Sequence, residues 1–131
     1  MKPKNLITLL TILLFVTTSF AQKTNSEKII GCWVLKKMEF AEAKPDDANL
    51  SAEAMNSYVC FEKDGTFITR LGGQETNVVK GNYQLSADGK NLSQSRDVDD
   101  AGNDEEAEIM VLNDKKLALK HEFGTMYFER K

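Results

Sequence analysis

The sequence is poor in the residue types from which active sites are usually assembled. Its 131 residues include one histidine, one tryptophan and two cysteines. His121 is the only imidazole available for acid–base work, and it stands alone. There is no GxSxG, HExxH or CxxC and no phosphate-cradling glycine loop. These absences argue against an enzyme, and two cysteines do not make a zinc site; no residue set calls for a metal or a cofactor. The mature region also has no apolar pattern of helical period long enough for a core helix.

Long hydrophobic runs are scarce too. The one present, Leu6 to Val16, is eleven residues and falls short of the ~20 needed to cross a bilayer as a helix. Lys2 and Lys4 precede it, and Ser19 and Ala21 occupy positions minus three and minus one of a cut before Gln22, the pattern of a signal peptide over residues 1–21. A polar arm, 22–28, and one domain, 29–131, follow. Ile29, Ile30, Gly31 and Cys32 match the residue types of a lipobox, but the polar stretch Gln22 to Lys28 separates them from the apolar run, which argues against lipidation. After cleavage the chain carries 15 Lys plus Arg against 20 Asp plus Glu. That excess of acid makes nucleic acid and anionic membranes poor partners. The expected location is the periplasm or the exterior, and the default state is a monomer.

What the sequence does have is short strands and turns. Gly31 to Phe40 alternates, with Trp33 and Leu35 on one face. Ala41 to Asn56 is loop-like, with Ser51 placed to cap a helical turn through Met55. Tyr58 to Glu62 and Thr66 to Leu71 flank Asp64-Gly65, a hairpin signature; Val78 to Leu85 and Lys90 to Arg96 flank Asp88-Gly89. Glu108 to Leu112, Lys115 to His121 and Gly124 to Arg130 complete about eight strands. Simple succession of hairpins predicts an all-β, eight-stranded, antiparallel up-and-down barrel with a short helical turn between strands one and two. The inward set is Trp33, Leu35, Phe61, Phe67, Tyr83, Leu85, Leu92, Val111, Leu119, Met126 and Phe128. A barrel of this size accommodates either a filled core or a small cavity.

Gly31, Cys32 and Trp33 form a GxW at the head of strand one, and Arg130 closes the last strand after Tyr127 and Phe128. Together with Phe61, Asp64, Gly65, Phe67, Gly81, Tyr83, Leu85 and Gly89, this resembles the short secreted lipocalin-like domain proteins of Bacteroidetes, calycin-type β-barrels. The resemblance implies that Gly31, Trp33 and Arg130 close one end of the barrel, with the basic side chain over the indole. It also implies a non-enzymatic barrel binding a small apolar or amphipathic ligand, with Phe67, Tyr83, Met126, Leu119 and Phe61 as contacts. The competing reading is a protease-inhibitor-like barrel acting through the polar N-terminal arm.

Three features carry alternatives. His121 follows Leu117 and Leu119 at period two, so it faces a ligand or is a structural residue near a strand end. Cys32 and Cys60 share a face and an oxidising compartment, yet strand two following its loop directly would set Cys60 closer to Met38 than to Cys32, favouring two free thiols over a bridge. Asp97, Asp99, Gly102 and Glu108 occupy positions one, three, six and twelve of a calcium loop. Ala101 at position five and strand-like flanks favour a solvated acidic loop instead.

Overall fold

In a computed structural model, residues 24–73, 77–97 and 104–131 are described. The signal-peptide expectation, residues 22 and 23 of the arm, and Asp99, Ala101 and Gly102 lie outside them. A short helix, α1 (Asn25–Lys28), leads into β1 (Gly31–Phe40), followed by α2 (Asp47–Ala54), β2 (Tyr58–Phe61), β3 (Thr66–Arg70), a 3-10 turn at Leu71–Gly73, β4 (Val78–Leu85), β5 (Asn91–Arg96), β6 (Glu105–Leu112), β7 (Lys116–His121) and β8 (Gly124–Arg130). Each strand pairs antiparallel with the next, and β8 pairs back with β1, so the sheet closes into an eight-stranded barrel. Closure leaves no open edge to pair with another chain.

Both Asp-Gly hairpins are built by their aspartates. The Asp64 carboxylate accepts from the backbone N–H and hydroxyl of Thr66, and Asp88 accepts from the Lys90 N–H and the Ser86 hydroxyl. These short bonds fix each turn and hence the register of the strands it joins. The short connections β2–β3, β4–β5 and β6–β7 lie at one end. The opposite end holds the β1–β2 segment with α2, the 3-10 turn, and the β7–β8 turn.

The first end is sealed. Trp33 has no exposed surface, and its indole Nε1 donates to the Ile29 carbonyl at 2.9 Å. The Arg130 guanidinium lies over the ring, its Cζ 4.2 Å from the centroid. Its nitrogens donate to the carbonyls of Asp114, Ile30 and Lys28 at 2.8, 2.9 and 2.7 Å, tying the last strand to the β6–β7 turn and the entry segment. Gly31 permits this approach: its φ is 126°, and a Cβ there would overlap the Arg130 Nη1. The same end holds α1, where the Asn25 amide donates to the Gly89 carbonyl at 2.8 Å. The described part of the N-terminal arm is therefore docked on the barrel and does not project from it.

Four sequence-based expectations differ from the structure. The helix before β2 begins at Asp47, so Ser51 lies inside it and caps nothing. Strand β6 starts at Glu105, three residues before Glu108, with Glu105 opposite Gln94 and Glu106 opposite Ser93. Val111, expected inside, is 42% exposed, because the register shifts between Ile109 and Val111 and turns Ile109 and Leu112 toward the core instead. Finally, Cys32 and Cys60 are bonded and directly opposite in register, their Cα atoms 4.0 Å apart. The two cysteines meet because β2 pairs only with the first half of β1, from Gly31 to Val34, while β1 continues along β8 to Phe40. The segment carrying α2 returns the chain across the barrel end, and the Leu35 N–H donates to the Ser57 carbonyl where β2 begins. A bonded Cys32 is also no lipidation acceptor.

Candidate functional site

The barrel interior divides into two halves. Toward the sealed end Phe61 and Leu92 are fully buried, and Phe61 meets Tyr83 edge-on at 4.9 Å. The Tyr83 hydroxyl reaches out to the Glu62 carbonyl at 2.6 Å. Mid-barrel, Phe67 sits opposite Gly81 across β3 and β4. A Cβ on Gly81 would run into both the Phe67 ring and the Ser95 carbonyl, so the ring's position depends on that missing methyl.

Above Phe67 the packing opens into a cavity of about 280 Å³. Every strand contributes to it: Leu35, Val59, Phe67 with Thr69, Val79, Gln94 with Arg96, Glu105, Leu119 with His121, and Met126 with Phe128, in order from β1 to β8. Ala54 of α2, Leu71 and Phe123 stand around the mouth. Ser57 is the one buried polar residue among those described, and its hydroxyl accepts from the Gly72 N–H at 2.8 Å, binding the β1–β2 segment to the 3-10 turn beside the mouth. The lower walls are aliphatic and aromatic; polar groups gather at the rim. An apolar interior with a few convergent polar groups is the usual form of a small-molecule site. The volume is nearly twice that of a ~150 Å³ apolar cavity able to hold benzene, room for about two rings inside and a third in the open mouth.

Of the residues expected from sequence as ligand contacts, the structure brings Phe67, Leu119 and Met126 together on the cavity walls. Phe61 and Tyr83 do not line it; they belong to the packed half below. The rim residues Gln94, Arg96 and Glu105 were not anticipated. Their signal was present, since Gln94 and Arg96 continue the inward alternation begun at Leu92, and Glu105 lies two positions before the inward Ala107.

At the rim Arg96 donates to Glu105, its partner on the facing strand side, and both are partly exposed. His121 stacks on Phe123, ring centroids 5.0 Å apart and planes 12° from parallel. Burial pushes the His121 pKa below its ordinary value, against the opposing pull of the Glu105 charge. No group of three or more His, Cys, Asp or Glu is placed to hold a metal among the described residues. Of the calcium-loop positions, Glu108 sits in β6 opposite Asn91 and Lys120, on a strand and not at a loop's end.

No family model and no curated protein sequence matches the chain. Solved structures do. A lipocalin-like protein from Bacteroides uniformis superposes with a TM-score of 0.59 at 21% identity, over 79% of this chain and 98% of that one. The chain has a lipocalin-like fold. An uncharacterized protein from Bacteroides eggerthii has a TM-score of 0.61 at 16% identity, covering 78% of this chain and 98% of that one. A further protein from Bacteroides uniformis, solved by NMR, gives 0.55 at 19%, over 82% and 93%. At these identities the likeness is one of fold alone. No helix among the described residues is long and apolar enough to cross a membrane.

Proposed function

We propose that this lipocalin-like barrel is a non-enzymatic binding protein of the periplasm or exterior, released by cleavage near Ala21, that carries one small apolar or amphipathic molecule. The observation that carries the reading is the cavity of about 280 Å³ beneath the α2 end, with contacts from all eight strands. Phe67, Leu119 and Met126 are its apolar contacts. Burying a ligand's carbons there would contribute about 25 cal/mol per Å² of apolar surface removed from water. The inhibitor-like alternative needs a free N-terminal arm, whereas Asn25 is held on the Gly89 carbonyl and the Lys28 carbonyl on Arg130.

The test is fluorescence titration with phenylnaphthylamine, an uncharged apolar probe. The wild type should bind one probe, and Val79→Phe, which extends a partly buried wall side chain into the cavity, should weaken binding by about tenfold, ~1.4 kcal/mol. Equal binding by the two proteins, or none by the wild type, would refute the carrier reading.

A further inference from the structure

The rim decides what kind of head group an occupant carries. Among the described residues lining the cavity, Arg96 and Glu105 are the two with permanent charge, and each is the other's counter-ion. His121, the third ionisable group there, is held neutral near pH 7 by its burial, with its ring face against Phe123. The other polar lining side chains are Thr69, Gln94 and Ser57, whose hydroxyl already accepts from the Gly72 N–H. No hydrogen bond ties the side chains of Thr69 or Gln94 among the described residues, so an amide and a hydroxyl are available to donate and accept.

A carboxylate entering this rim would have to draw Arg96 away from Glu105 while approaching the Glu105 charge. An ammonium group would have to take Glu105 from Arg96. Either exchange gives up an exposed pair already made for another of the same kind, so it gains little, while the charged head still loses part of its own hydration on entering the cavity mouth. A head that hydrogen-bonds without charge needs no exchange, since Gln94, Thr69 and neutral His121 can meet it.

We infer that the ligand is an uncharged amphiphile, an apolar body seated among Phe67, Leu119 and Met126 with an alcohol, amide or ketone head at Gln94, Thr69 and His121. This rests on the carrier reading of the cavity.

The experiment uses the exported chain with its disulfide intact. Phenylnaphthylamine is displaced at neutral pH by three ligands of equal chain length: decanol, decanoate and decylammonium. Decanol should compete at about tenfold lower concentration than either charged homologue, ~1.4 kcal/mol. Glu105→Gln, an exposed and near-isosteric change, should free Arg96 and move decanoate ahead of decanol; Arg96→Gln should free Glu105 and favour decylammonium. A charged homologue that matches decanol on the wild type, or an order unchanged by Glu105→Gln, overturns the inference while leaving the carrier reading intact. A wild type that binds no phenylnaphthylamine removes both.

Discussion

Replacing Arg130 by Ala tests how the sealed end is held. The side chain lies 4.2 Å over a fully buried Trp33 and donates to three carbonyls, those of Lys28, Ile30 and Asp114. The guanidinium is near solvent, so the cation–π contact is worth about 0.5–1 kcal/mol. The three hydrogen bonds fall at the low end of their range, about 0.5 kcal/mol each, because water can reach the vacated carbonyls. The sum is about 2 kcal/mol, which for a domain of this size lowers Tm by roughly 10 °C. Arg130→Lys keeps a cation over the ring but cannot reach three carbonyls at once, so it should recover about half of the loss. Urea unfolding followed by Trp33 fluorescence gives both values, with m unchanged. A loss below about 0.5 kcal/mol for Arg130→Ala, or a lysine variant no better than alanine, would refute this account of the latch.

Cys32→Ser with Cys60→Ser should cost about 3–4 kcal/mol, the loop-closure value for a bridge spanning 28 positions, read as a fall of about 2 M in urea midpoint; under 1 kcal/mol would contradict it. His121 has a folded pKa below its unfolded one, so its stability contribution is present above the unfolded value near 6.5 and is lost as pH falls toward the folded value. Thermal scans should show wild type losing stability relative to His121→Asn as pH falls from 7 through the unfolded histidine value, and parallel curves would refute this; the lowered carboxyls of Asp64 and Asp88 act only below about pH 4. Phe61→Leu should cost about 1 kcal/mol without altering phenylnaphthylamine affinity, whereas Met126→Ala, half-buried on the cavity wall, should weaken affinity and also cost about 1–2 kcal/mol of stability. Exchanged phenotypes would place the cavity on the wrong side of Phe67.

The strands and their order were legible because hairpin chemistry is local. Asp64-Gly65 and Asp88-Gly89 mark turns in the text itself, and period-two alternation marks the runs between them. Register and parity were less so, because they depend on irregularities with no signature residue. The shift around Lys36 brings Met38 inward, and the shift around Met110 turns Val111 out. The disulfide is hidden from the sequence for a related reason: where β2 lands on β1 is set by the path of the α2 segment, which no pattern within either strand records. The glutamates opening β6 read as loop because acidic residues are poor strand formers. Their pairing depends on a partner, Arg96, that is remote in that reading. On the site, Phe67, Leu119 and Met126 follow from parity. Phe61 and Tyr83 show its limit, since parity tells which residues face inward but not at which height the interior is filled.

Native mass spectrometry of the protein exported to a bacterial periplasm, compared with the denatured protein and with Val79→Phe, tests the central claim most directly. The account predicts a single small-molecule adduct that disappears on denaturation and is diminished in Val79→Phe. Its mass should be that of a compound without ionisable groups. A clean, empty wild type that also fails to take up added decanol would contradict it.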